Sequence, residues 1–158
     1  MTIRFHSSVI VTRNVRVLAR FYQDVLEQEV TSDFGAYVVL SGGLSIWCPA
    51  ADHVAGEYLS QKPNQNGNME RRFETDDFEG ATERLNGHQI NTLHTVIQEI
   101  WGQRTVRFFD PDGNLVEVGE SIPWFVIRLH AEGLSLEDVA KKTSVPLESV
   151  RKFCKEEK

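Results

Sequence analysis

The chain has 158 residues, 41% hydrophobic and 25% charged, with a formal net charge of −6. That length and balance predict a globular protein burying about 70% of its unfolded surface, and the acidic excess argues against a general nucleic-acid or anionic-membrane binder. No apolar run approaches the ~18 residues of a membrane span. The opening residues, MTIRFHSSVIVTRN, lack the long apolar core of a signal peptide. Cys48 and Cys154 have no C-x-x-C spacing, so a cytoplasmic protein with reduced thiols is expected.

In chain order, HSSVIVT is β-branched and reads as a strand. Asn14 is placed to cap the helix that follows, in which Leu18, Phe21, Tyr22, Val25 and Leu26 share one face. AYVVL and LSIWC read as two strands joined by a turn at SGG. Residues 49–69, rich in Pro, Gly and Asn, read as a linker. MERRFET is the next strand. Asp76 with Glu79 resembles a capping box, and Phe78, Ala81, Thr82 and Leu85 make a shorter helical stripe. NTLHTVI, RTVRFF and LVEVG then read as three strands, the last two separated by the Asp110–Asn114 turn. Residues 122–158 read as a helical extension, with Ser135 and Asp138 as a cap and TSVP separating two short helices.

The second segment repeats the first. Both run strand, helix and then further strands, although one strand of the first copy is indistinct. The expectation is an α+β fold of two βαβββ modules, at about residues 4–48 and 70–119. Together they form a domain over 1–121, with an extension over 122–158.

Three motifs carry a family resemblance: FYQDVL, FETDDFEGATERL and RFFDPDGNLVEVGE. The chain resembles the vicinal oxygen chelate superfamily of glyoxalases, bleomycin-resistance proteins and extradiol dioxygenases. The resemblance implies paired modules around a cleft, a small oxygen-rich substrate or ligand, and frequent homodimers. In many members it also implies a divalent metal such as Ni, Zn, Mn or Fe. An enzyme of this type would be a lyase, isomerase or dioxygenase; other members sequester drugs.

Carried over position by position, the family's four ligand places fall on Ser7, Trp47, Glu70 and Glu117. Ser7 and Glu70 lie seven residues before Asn14 and Asp77, and Trp47 is set opposite Glu117 by matching Gly43 to Gly113. Such a set offers two carboxylates and no imidazole, short of the about four His or carboxylate donors of a stable metal site, because an indole cannot ligate and a hydroxyl is a poor ligand. His6 is one residue off and faces the other way in a strand. No cofactor is therefore assigned.

Glu117, a carboxylate inside an apolar strand, is the candidate base. Trp47 and Trp101 are candidates to stack a planar ligand. Arg104 and Arg107 lie three apart in a strand and so on opposite faces; Arg104 is taken as the one that steadies an anionic group. Among the histidines, His94 is the best placed. Trp124 is read as the anchor of the first tail helix. The tail resembles a short helix-turn-helix, but Ser135–Lys158 carries six basic and five acidic residues, so it is read as a packing or dimer element. The expected partner is a small molecule, with neither nucleic acid nor membrane.

Overall fold

The computed structural model describes residues 4–53 and 69–155; most of the linker lies outside them. The described chain divides into two compact units. One comprises Met1–Met69 with Asp110–Asn114, the other Glu70–Phe109 with Leu115–Lys158.

The first unit opens with β1 (Ser8–Val11) and α1 (Val15–Leu26), followed by β2 (Val30–Asp33), β3 (Tyr37–Leu40) and β4 (Leu44–Trp47). The sheet order is β1-β4-β3-β2, with β1 parallel to β4 and the other pairs antiparallel. β2 is the strand that was indistinct in the sequence. Its residues, VTSD, are short and polar and alternate between half-buried and exposed. Asn14 caps α1 as expected, its side chain accepting from Val17 N at 3.2 Å. Leu18, Ala19, Tyr22 and Val25 form the buried stripe of α1 and pack on β3 and β4, where Val38, Leu40 and Ile46 are also buried. Each buried Val, Leu or Ile side chain among them contributes roughly 1.5–3 kcal/mol. Gly42 and Gly43, at φ +72° and +80°, let the β3–β4 turn close within three residues.

The second unit has the same order. It runs β5 (Glu70–Thr75), α2 (Phe78–Gly87), β6 (Asn91–Gln98), β7 (Arg104–Phe109) and β8 (Leu115–Glu120), in the sheet order β5-β8-β7-β6. The cap of α2 is Asp77, accepting from Gly80 N at 2.9 Å, rather than Asp76. Asp76 instead accepts a hydrogen bond from Ser121 Oγ. Phe78 and Leu85 of α2 share the buried side of the unit with Val106, Phe108, Val116 and Val118, which alternate to one face of the sheet. The opposite face of β5, β7 and β8 carries Glu70, Arg72, Glu74, Thr105, Arg107 and Glu117. β6 is an edge strand whose register with β7 slips at two places.

The Asp110–Asn114 turn is self-satisfied. Asp110 Oδ1 accepts from Asp112 N at 3.0 Å and from Asn114 N at 2.8 Å. Its Oδ2 accepts from the buried Tyr22 hydroxyl at 3.1 Å. The acidic turn motif is therefore a structural clasp.

Three helices close the second unit: α3 (Ile122–Ala131), α4 (Leu136–Thr143) and α5 (Leu147–Phe153). Phe125, Val126, Leu129, Val139 and Val150 form their core. Trp124 is still 36% exposed, so Phe125, Val126 and Leu129 carry the burial of α3. Ser135 caps α4 as the sequence suggests, and Ser121 caps α3.

The helices are tied to the sheet by Glu120, which is fully buried. Its carboxylate accepts from Arg104 N and Nε, both at 2.9 Å, and from Arg128 Nε and Nη2, both at 2.8 Å. Burial alone would raise the Glu120 pKa, but the hydrogen bonds from Arg128 and Arg104 outweigh it and hold the carboxyl below its ordinary range.

Candidate functional site

In the second unit, strand pairing brings the ionisable groups together. β8 lies between β5 and β7, so Glu117 stands opposite Arg72 on one side and Arg107 on the other. Paired residues share a face. Glu117 is 3% exposed, and its Oε1 lies 3.2 Å from Arg72 Nε. Its Oε2 is paired with Arg107 Nη2. Burial pushes the Glu117 carboxyl above its ordinary range. Arg107 and Arg72 oppose that rise, while the neighbouring Glu70 carboxyl adds to it.

Arg107 is the hub. Its Nε donates to Glu70 Oε2 at 2.9 Å, and its Nη1 to Glu99 Oε1 at 2.9 Å. His94 Nε2 lies 3.4 Å from the same Nη1. Burial disfavours the Arg107 cation, but the bonds to Glu99 and Glu70 and the charge of Glu117 hold its pKa above the usual arginine value.

Arg72 reaches sideways as well, to Glu74 at 3.1 Å and to Gln103 Oε1 at 3.1 Å. Gln103, 1% exposed, also accepts from Trp101 Nε1 at 3.1 Å, which fixes the half-exposed indole beside this network.

Sequence reasoning placed Glu70, Glu117 and Trp101 among the site residues, and all three border this network. Arg104 does not. It faces α2, bonds Glu120 and Glu79, and lies with its guanidinium carbon 5.0 Å from the Phe78 ring centroid. The arginine beside Glu117 is Arg107. The hairpin holds the missing signal: Phe109 and Leu115 flank the turn, and counting two residues inward on each strand pairs Arg107 with Glu117. Glu99 was missed because it sits in the irregular β6–β7 connection.

In the first unit, Ser7 is half-buried just before β1, and Trp47 packs edge-on against His53 with ring centroids 5.0 Å apart. Matching the two caps, Asn14 and Asp77, matches Val9 to Arg72. Their strand partners are Ser45 and Glu117. The counterpart of Glu117 is therefore Ser45, with Trp47 two residues further along the same face. The glycine match fails because the Asp110–Asn114 turn is longer than Ser41–Gly43.

The two buried glutamates predict opposite pH behaviour. Glu120 has a depressed pKa, so its contribution is present above the ordinary carboxylate value and is lost as pH falls through the lower, folded value. Glu117 has a raised pKa, so the folded state holds its proton more tightly and stability declines as pH rises from the ordinary value through the higher, folded one. Urea midpoints between pH 3 and 7 check this. The wild-type advantage over Glu120→Gln should grow with rising pH, and that over Glu117→Gln should shrink.

A separate cavity of about 560 Å³ lies on the helix side of the same sheet, lined by Leu85, His88, Val96, Val106 and Phe108 among others, without Glu117. Among the described residues, no helix is long and apolar enough to cross a membrane.

Two modules of one strand–helix–three-strand order, each with its parallel pair beside an antiparallel hairpin, define the vicinal oxygen chelate architecture. Residues 5–123 match the glyoxalase-like domain, and the chain belongs to that family. A solved protein of unknown function from Agrobacterium tumefaciens strain C58 is 30% identical, with TM-score 0.66 over 77% of this chain and 97% of its own. A lactoylglutathione lyase from Agrobacterium tumefaciens is 22% identical, with TM-score 0.56 over 78% and 98%. The fosfomycin resistance protein FosX from Mesorhizobium loti is 14% identical, with TM-score 0.56 over 77% and 94%. The last two show the shared fold alone. No curated protein is significantly similar in sequence.

The divalent metal that this family implies does not fit these residues. Glu70 and Glu117 both carry the Arg107 guanidinium, while the first-unit positions offer hydroxyls and an indole. Among the described residues, no three His, Cys, Asp or Glu side chains are arranged to hold a metal ion.

Proposed function

We propose that this protein binds, and in the fullest reading converts, a small oxygen-rich molecule at the face of the second sheet that carries Glu117, without the family's metal. The observation that supports it is Glu117 itself, 3% exposed and set between Arg72 and Arg107 with Glu70 alongside. Burying a carboxylate among charged partners costs stability that an apolar residue would not, and a perturbed ionisable group of this kind is a mark of a functional site.

The chemistry available is hydrogen bonding to hydroxyl and carbonyl oxygens through Arg72, with Glu117 as the proton acceptor. Arg72 and Trp101 retain exposed surface, and Trp101 offers a flat face for a planar ligand. Ser7 and Trp47 belong to this proposal as the first unit's ligand-facing positions, and a homodimer as its assembly. The lyase named among the structural relatives suggests a metal-dependent reading, but the donor set here works against it.

The test is a small-molecule screen by ligand-observed NMR, starting with α-hydroxy ketones, hemithioacetals and fosfomycin, followed by the same titration on Glu117→Gln. The expected result is affinity at least about tenfold weaker, a loss of about 1.4 kcal/mol. An unchanged dissociation constant in a folded variant would remove Glu117 from the site.

A further inference from the structure

We propose that Gln103 is a positioning residue for the site on the Glu117 face, and that the helical extension holds it in place through the turn Glu99–Gln103. The inference takes the location of the site from the function proposed above, but every effect it names is read without a ligand.

The match to the family domain ends at residue 123. Arg128 and Leu129 of α3 and Lys142 of α4 lie beyond it, and all three pack on one turn. Arg128 Nη2 donates to Gly102 O at 2.7 Å. Gly102 sits at φ +99°, and a Cβ there would come within 2.8 Å of Leu129 Cδ1 and 3.1 Å of Lys142 Cε. Glycine alone allows that backbone and that approach together. The turn also closes on itself: Glu99 N donates to Gln103 O and Gly102 N to Glu99 O, both at 2.8 Å.

The same turn delivers three side chains to the Glu117 network. Glu99 Oε1 accepts from Arg107 Nη1 at 2.9 Å. The Gln103 amide is engaged at both ends. Its Oε1 accepts from Trp101 Nε1 and from Arg72 Nη2, both at 3.1 Å, and its Nε2 donates to Glu120 O. A reversed amide would set its NH2 against two donors and its oxygen against a carbonyl, so a single orientation satisfies all three partners. Gly119 makes room for it, since a Cβ there would lie 3.2 Å from Gln103 Nε2.

Gln103 therefore fixes Trp101 and Arg72 at once. The indole N–H is used inward, which leaves the ring face of Trp101 and the exposed part of Arg72 to a ligand, each in one setting. A ligand-facing group is as precise as the contacts that lock it. Here the lock is anchored in helices that the family domain does not include.

The experiment follows the Trp101 Nε1–H and Arg72 Nε–H resonances by NMR, the indole signal being assigned by its loss in Trp101→Phe. Folding of each variant is first checked by cooperative urea unfolding. Gln103→Met, which removes the acceptor, should shift both signals and speed indole exchange with water at least about tenfold. Gln103→Glu, which keeps an acceptor for both donors, should retain the protection. Gly102→Ala, which pushes the turn off Leu129 without touching Gln103, should act like Gln103→Met. Should Gly102→Ala not fold, Arg128→Lys takes its place, because one ammonium cannot serve both Glu120 and Gly102 O.

Phe108→Ala separates positioning from stability. It lies on the opposite face of the sheet and should leave the Trp101 signal in place although the protein is weakened. Unmoved Trp101 and Arg72 signals in a folded Gly102→Ala or Arg128→Lys would overturn the role of the extension. Equal loss of protection in Gln103→Met and Gln103→Glu, or in Phe108→Ala, would overturn that of Gln103. A small-molecule screen without hits would sink the proposed function and leave these outcomes as they are.

Discussion

Replacing Arg128 by alanine is expected to lower the unfolding free energy by about 2–3 kcal/mol, measured by urea denaturation at neutral pH. Breaking a buried pair costs ~3–5 kcal/mol when the remaining charge is left alone. Here Glu120, with no exposed side-chain surface, keeps Arg104, so the loss is smaller than that full value. Arg128 also bonds Gly102 O at 2.7 Å, and that carbonyl would lose its partner as well. The double variant Arg128→Ala/Glu120→Gln should recover part of the loss, because it removes a buried charge that has lost one of its two guanidiniums. Equal stability of wild type and Arg128→Ala would show that the knot is not a fastening.

Phe108→Ala is expected to cost more, about 3–5 kcal/mol. Phe108 is fully buried, pairs with Val116 across the hairpin, and shares its face with Val106 and Val118. Removing the ring opens a void against α2 and beside the existing cavity. The check is again a urea midpoint, read with the slope. A change in midpoint at constant slope marks lost packing, whereas a changed slope marks an altered denatured or native ensemble. A cost below about 1 kcal/mol would mean that α2 collapses into the space.

Much of this architecture was legible because its signals are local. Asn14 announces α1, the apolar stripe of α1 follows helical spacing, and the Asp110–Asn114 turn fixes a hairpin. The second strand escaped because VTSD has neither apolar alternation nor a buried face to impose one. The site was half legible. Glu117 and Glu70 follow from motif and repeat, and strand alternation showed that only one of Arg104 and Arg107 faces them. Choosing between the two requires pairing register, which lies in the hairpin rather than in either strand. Trp47 was aligned by a glycine, but the two turns differ in length, and the caps prove the better anchor. Glu99 carried no signal at all, since the loop geometry that delivers it has no periodicity.

Glu120 and Arg128 also have a consequence for descent. An acid buried at the end of β8 is costly without its guanidiniums, and an arginine in α3 that has lost this acid keeps only Glu132 and the Gly102 carbonyl for its largely buried guanidinium. Neither change is readily tolerated before the other. Homologues bearing the helical extension are therefore expected to keep both residues or to have exchanged both, and the two positions should covary across the lineage more tightly than their neighbours.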